Sequence, residues 1–347
     1  MTTAPGGVKA APEDCLRAAS PLHDIARAKV NLTLEIRGRR ADGYHELESL
    51  VAFTRFGDRL TLEPGRPFSL DVTGPFASAI EGGNLIEKAA ALHAAEEGGP
   101  GGSVAGGRAS LGAFRLEKHI PVAAGLGGGS ADAAAALRLL SGHHGDPDAL
   151  SGHHEISGGL GSGPTATTAT LRLAAGVEGA SEGLSVQLAI AAKLGADVPV
   201  CLFSRPAIMT GIGERVSLLA EFPPIPILLV NPRQPLATAA VFRQLAAAPL
   251  TAPPASAATP ALATIDDVLA YARCRPNDLQ GPAERLLPVI GRMLGHLAAC
   301  PGALLVRLSG SGPTCFALFR TQAEAHAAAA ALGADHPQWW IQETTLG

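Results

Sequence analysis

The sequence predicts an α+β protein in two lobes, and two observations carry that reading. Strand patterns of period two recur in stretches set apart from the helical ones, so antiparallel strands and helices segregate. The 347 residues, 47% of them hydrophobic, suffice for one large or two modest cores.

Taken in order, residues 1–21 read as a disordered leader, because Glu13, Asp14 and Arg17 interrupt them and no signal-peptide apolar core is present. Ordered sequence is expected from near Ile25, where Val30, Leu32, Leu34 and Ile36 alternate with Asn31, Thr33 and Glu35 as in an amphipathic strand. A polar turn at 38–43 follows, then strand patterns over 50–56 and 59–62. Leu85, Ile86, Ala89, Ala90 and Leu92 keep helical spacing over 84–95, and the Gly-rich 96–107 reads as loop. A strand at 114–116 leads to Pro121, and an Ala- and Leu-rich run predicts a helix starting at or just after Ser130.

Residues 141–170, with His143, His144, His153 and His154 among many Gly, Ser and Thr, bury little and read as a polar surface insertion. Metal binding by these histidines is the alternative, but no carboxylate pattern accompanies them. Helical spacing returns at 184–194, Pro-rich strand sequence at 223–232 and a helix at 237–247. After a low-complexity Ala/Pro/Thr stretch at 249–264 come helices at 278–287 and 289–299 and strands at 304–308 and 315–319 around a Gly turn. A helix at 322–332 ends the series. The expected domains are 22–205 and 206–347.

Composition excludes several classes of function. With 27 Lys+Arg against 31 Asp+Glu, a formal charge of -4 offers no general attraction for nucleic acid or an anionic membrane. Five scattered cysteines, never in a C-x-x-C pair, suggest neither a disulfide framework nor a zinc site and fit a reducing cytoplasm. No stretch reaches the roughly 18 uninterrupted apolar residues of a membrane span.

The most informative segment is Pro121-Val-Ala-Ala-Gly125-Leu-Gly-Gly-Gly-Ser130-Ala-Asp132. Glycines immediately before a helix let backbone N–H groups converge on an anion at the helix's positive end, which points to polyphosphate. A Walker loop is excluded because Gly129 is followed by Ser130 with no Lys, and a dinucleotide fingerprint fits poorly after Pro121.

This segment resembles the second motif of the GHMP kinases. Leu308-Ser309-Gly310-Ser311-Gly312-Pro313-Thr314 resembles the family's third motif, which packs beside the phosphate loop, and Ala28-Lys29-Val30-Asn31-Leu32 the first. Three motifs in the family's order are far more specific than any one alone. Arg40-Ala41-Asp42-Gly43-Tyr44-His45, Leu194-Gly195-Ala196-Asp197-Val198-Pro199 and Asn277-Asp278-Leu279 are similar to members that act on a cytidine-diphosphate-linked polyol.

The resemblance implies a ribosomal S5 domain 2-like N-terminal part and a ferredoxin-like C-terminal part, ATP and Mg2+ as cofactors, and a small-molecule acceptor. It implies ATP contacts from Pro121, Ala123, Ala124, Gly125, Leu126, Gly127, Gly128, Gly129 and Ser130, with Ser130 also near Mg2+ and Ser309, Gly310, Ser311 and Gly312 beside the phosphates. Asp197 becomes the expected base, although an Asp before Val-Pro could instead cap a turn. Lys29 becomes its charge partner, although a solvated edge-strand lysine reads the same way. Asn31, Tyr44, His45, Thr238 and Phe242 are implied for the acceptor, with Tyr44 and Phe242 as stacking faces and His45 on the base edge. A core Phe remains open for Phe242. Rival readings are a GHMP kinase for homoserine, a sugar or a mevalonate derivative, and an inactive sensor, against which stand the retained Lys29, Ser130 and Asp197. No nucleic-acid or membrane partner is expected, and the chain is taken as a monomer or weak homodimer.

Overall fold

The computed structural model describes residues 20–97, 111–142, 182–251 and 259–347. The expected leader, the loop at 96–107, the insertion at 141–170 and the middle of the low-complexity stretch lie wholly or largely outside the described residues.

The organising element is β3 (His45–Glu63), a single 19-residue strand where two were expected. The expected break falls at Gly57-Asp58, yet β3 stays paired with β1 (Leu22–Asn31) on both sides of residues 54–56, from Val51 to Phe53 and from Gly57 to Leu62. It can do so because the buried Asp58 carboxylate finds partners, as described below. β2 (Glu35–Arg39) and β6 (Ala207–Gly211) pair with the start of β3, and β7 (Arg215–Leu218) pairs with β6. β5 (Ala113–Glu117) pairs with the end of β3, and β4 (Ser69–Thr73) lies parallel to β5.

Among the described residues, four helices cover this sheet: α1 (Leu85–Glu97), α2 (Gly128–Leu140), α3 (Glu182–Leu194) and α4 (Val198–Phe203). The run Ala133 to Ala136 in α2 is wholly buried beside Ile86, Leu188, Val198 and Phe53, since small side chains let α2 sit close to its neighbours. The second half forms another antiparallel sheet, ordered β11 (Trp340–Leu346), β8 (Ile225–Asn231), β10 (Cys315–Leu318), β9 (Leu305–Leu308). β11 joins it to β3 through the pair Leu346 and Thr54. Helices α5 (Thr238–Leu245), α6 (Ile265–Arg273), α7 (Gln280–Leu286), α8 (Val289–Ala299) and α9 (Gln322–Asp335) complete the chain.

The α+β, two-lobed expectation holds. One core lies under α1 to α4 and another under α7 to α9, while a third is shared, with Val30, Ile120 and Leu126 packed among Ile227, Phe316 and Trp340. The phosphate-loop segment is therefore clamped where the two halves meet.

Candidate active site

The phosphate loop descends from β5 and enters α2 through three left-handed residues, Ala123 (φ 54), Gly125 (φ 74) and Gly127 (φ 63). Glycine bears that conformation without penalty, and Gly127 forms the N-cap. The helix begins two residues earlier than expected, at Gly128. Glycines read as breakers do not interrupt a first turn, whose N–H groups have no intrahelical acceptor in any case. The first intrahelical bond is Ala131 N to Gly127 O (2.8 Å), which leaves the N–H groups of Gly128, Gly129 and Ser130 for a ligand. Gly129 is exposed and Ser130 half-exposed, so the cradle is open.

The first and third motifs brace this loop from behind. A Cβ on Gly125 would lie 2.5 Å from Ser309 O and 2.8 Å from Gly312 O, and one on Gly310 would lie 3.2 Å from Gly125 O. Ser309 donates its hydroxyl to Gly125 O (2.9 Å) while accepting from Asn31 N (3.2 Å), and Thr314 N donates to Ala124 O (3.1 Å). Asn31 turns its own amide to Ser49 Oγ (2.8 Å). The three motifs, far apart in the chain, are one hydrogen-bonded unit.

Lys29 enters this unit through a β-bulge. The β1–β3 register shifts between Arg27 and Lys29, and Lys29 N bonds Leu126 O (2.9 Å) instead of β3. The period-two strand expected through Ile36 ends at Asn31, because Leu32 and Thr33 turn both their N–H groups onto Leu50 O. Lys29 is not the solvated edge lysine: its side chain is 4% exposed, and its ammonium lies 2.7 Å from Asp197 Oδ1. Asp197 stands at the N-cap of α4 but makes no capping bond; its carboxylate, 39% exposed, points to Lys29 and to open solvent. A Cβ on Gly127 would sit 3.3 Å from Lys29 Cε, so the pair borders the phosphate loop.

The residues expected on the nucleoside side come together by a separate route. In the turn after β2, Asp42 accepts from Tyr44 N (3.0 Å) and from Arg40 Nε (3.1 Å), which accounts for Arg-Ala-Asp-Gly as a structural signature. Arg39 N to Ala248 O (2.8 Å) and Leu250 N to Arg39 O (2.7 Å) bind this hairpin to the end of α5. His45 consequently stacks on Phe242, with ring centroids 4.8 Å apart. Burial, followed by the Arg39 guanidinium, holds the His45 imidazole below the usual histidine value. Tyr44, expected as the opposite stacking face, is 60% exposed and has no ring contact. Thr238, in the first turn of α5, shares a 2.8 Å hydrogen bond with Ser311, linking the nucleoside side to the third motif.

Sequence reasoning missed the polar support under the loop. Lys118 lies buried between Asp58 and Asp132 (2.6 Å to Asp132 Oδ2). Burial works against its charge, but Asp132 and Asp58 together hold its pKa above the usual lysine value. Asn277 donates to both Leu308 O (2.9 Å) and Gly310 O (2.8 Å), fixing the third motif. The sequence carried no clear signal for it, because Asp58 stands beside Arg55 and Arg59, and Lys118 beside Arg115, Glu117 and His119, as solvated charges would.

The open start of α2, the Lys29–Asp197 pair beside it and the bracing third-motif loop meet in one place, the arrangement expected of a small-molecule kinase, and the chain belongs to the GHMP kinases. The family's N terminal domain pattern matches residues 84–151 and its C terminal pattern residues 261–338. Within the family it is similar to the 4-diphosphocytidyl-2-C-methyl-D-erythritol kinase of Parvibaculum lavamentivorans, 43% identical over 95% of this chain and 99% of that one. The enzyme of the same name from Bradyrhizobium sp. (strain BTAi1) is 44% identical over 94% of this chain and 97% of that one. A crystal structure of 4-(cytidine 5'-diphospho)-2C-methyl-D-erythritol kinase superposes with a TM-score of 0.62 at 33% identity, covering 94% of this chain and 99% of that chain. A mevalonate kinase from L. major shares the fold, with a TM-score of 0.56 at 12% identity over 95% of this chain and 97% of that one.

Proposed function

We propose that this protein transfers the γ-phosphoryl group of ATP to the 2-hydroxyl of 4-diphosphocytidyl-2-C-methyl-D-erythritol (CDP-methylerythritol), in the non-mevalonate route to isoprenoid precursors. The observation that carries the chemistry is the 2.7 Å Lys29–Asp197 pair at the mouth of the phosphate loop.

Phosphoryl transfer needs positioning, charge neutralisation and an acceptor hydroxyl relieved of its proton. The N–H groups of Gly128, Gly129 and Ser130 hold the triphosphate at the positive end of α2. Asp197 Oδ1 is engaged by Lys29, so Oδ2 accepts the hydroxyl proton, and the Lys29 ammonium offsets charge as it grows on the attacking oxygen. Asn31 holds the acceptor end beside them. Mg2+ is expected to arrive on the triphosphate, with the Ser130 hydroxyl beside it. When bound, it neutralises phosphate charge.

At the other end, Phe242 and the exposed Tyr44 supply stacking faces for cytosine, His45, held against Phe242, meets its edge, and Thr238 lies between base and phosphates. Among the described residues no helix is long and apolar enough to cross a membrane, and we place the protein in the cytoplasm as a monomer or weak homodimer.

The test is ADP release on a panel of CDP-methylerythritol, homoserine, mevalonate and galactose. The expected result is turnover with CDP-methylerythritol and at least about a hundredfold lower kcat/KM for the rest. A comparable kcat/KM with any other acceptor overturns the assignment.

A further inference from the structure

We propose that Asp58, Lys118 and Asp132 form a buried positioning cluster that sets the phosphate loop in its ATP-binding shape. This inference rests on the kinase reading above and adds residues to it.

Four geometric facts support it. Asp58, fully buried on β3, spends Oδ1 on two successive backbone donors, His119 N and Ile120 N (2.8 Å to the latter), and Oδ2 on the Lys118 ammonium. The three residues just before Pro121 are thus hung on one carboxylate. Lys118 N also donates to Thr73 O (2.8 Å), so the β4 side fixes the same segment. From there the Lys118 ammonium reaches Asp132 Oδ2 (2.6 Å), one turn into α2 beyond the phosphate cradle. Finally, a Cβ on Gly128 would come within 3.1 Å of Lys118 Nζ, so the ammonium is seated against the first residue of the phosphate helix.

The consequence is mechanical. The loop between residues 120 and 128 is anchored at both ends, at its entry by Asp58 and at its exit by Asp132, and Lys118 ties the two anchors together. Its ammonium also sits behind the helix start, where the two carboxylates balance its charge, so the cluster acts by holding the loop in place and adds no net positive charge. None of the three side chains reaches the acceptor end, where Lys29, Asn31 and Asp197 lie. Their loss should therefore be felt by ATP and not by the polyol.

Two full-length variants decide it: Lys118→Met, and Asp58→Asn, which keeps an acceptor for His119 N and Ile120 N while turning an N–H toward Lys118. Wild-type turnover with CDP-methylerythritol is established first, so failure of the kinase reading shows there, separately from failure of this one. For each folded variant, KM for ATP, KM for the polyol and kcat are measured, together with the Kd of a non-hydrolysable ATP analogue by calorimetry. The expected result is an ATP KM and analogue Kd raised about tenfold or more in Lys118→Met and about fivefold in Asp58→Asn, with polyol KM and kcat within about threefold of wild type. If Lys118→Met fails to fold, Asp58→Asn carries the decision. An ATP KM and analogue Kd within about twofold of wild type overturn the proposal, as does a loss of kcat in proportion to folded protein with both KM values unchanged.

Discussion

The ammonium of Lys29 and the carboxylate of Asp197 meet at 2.7 Å, one almost wholly buried and the other open to solvent. A bulge on β3 opposite Ala28 and the start of α4 bring them together, and the asymmetry of exposure suits the roles proposed for them: a fixed charge behind, a proton acceptor in front. Replacing Asp197 by Asn keeps the shape and removes the basicity. The expected outcome is a kcat lower by about 10² or more with nearly unchanged Kd for ATP and polyol. Lys29→Ala should lose a comparable factor through charge stabilisation. A near wild-type kcat in Asp197→Asn would remove it from the mechanism.

Gly125 allows a second test, because two independent constraints converge on it. Its φ of 74° is left-handed, and an added Cβ would stand 2.5 Å from Ser309 O, which is backbone and cannot rotate away. Gly125→Ala should destabilise the protein by about 2 kcal/mol or more and raise KM for ATP, since relief requires parting the second and third motifs. Gly129→Ala, where the nearest atom is Leu85 Cδ1 at 3.7 Å, is the control, with an expected change in stability below about 1 kcal/mol. Thermal unfolding of both proteins settles the comparison, and equal melting temperatures would refute the account of Gly125.

The regular elements flanking the site were legible because periodicity alone specifies them: the expected helix over 84–95 is α1, and the strand at 114–116 is β5. The motifs were legible as text, but their mutual contact was not, since Ser309 meets Gly125 across most of the chain. What escaped are elements whose pattern depends on distant partners. β6 and β11 find their register only against β3 and β8, and β7 only against β6. α6 hides at the end of a low-complexity stretch, although Thr264 and Asp267 form a capping box at its start. The role of Lys118 was invisible because a buried lysine is readable only once both its carboxylates are in place.

The titration of His45 yields a pH prediction. Burial, then Arg39, depresses its pKa below 6.5, so the folded protein excludes the proton that the unfolded chain would take up. The contribution to stability is therefore complete above 6.5 and is lost as pH falls from there through the lower folded value. If neutral His45 reads the cytosine edge, KM for the polyol stays flat above that point and rises only on acidification. Steady-state kinetics between about pH 5.5 and 8.5 on wild type and His45→Gln test this. The variant should have a raised KM without the acid-side increase, and an identical acid-side increase in both would exclude His45.

Base specificity follows from the same pair. Uracil presents a carbonyl and an N–H where cytosine presents an amino group and a bare ring nitrogen, so groups arranged around His45 for one base meet reversed polarity in the other. Stacking on Tyr44 and Phe242 survives the exchange, because both bases offer a π-face. Hydrogen bonding alone must therefore discriminate, and a buried partner left unpaired costs about 1 to 3 kcal/mol. In the proposed binding mode the base lies remote from the hydroxyl that reacts beside Asp197, so the penalty should appear chiefly in KM and little in kcat. The uridine analogue is accordingly expected to show a kcat/KM lower by about tenfold to a hundredfold. Phe242→Ala should weaken both substrates alike and leave the ratio between them intact. A uridine-to-cytidine ratio within about threefold in the wild type would mean that the β2–β3 hairpin does not read the base.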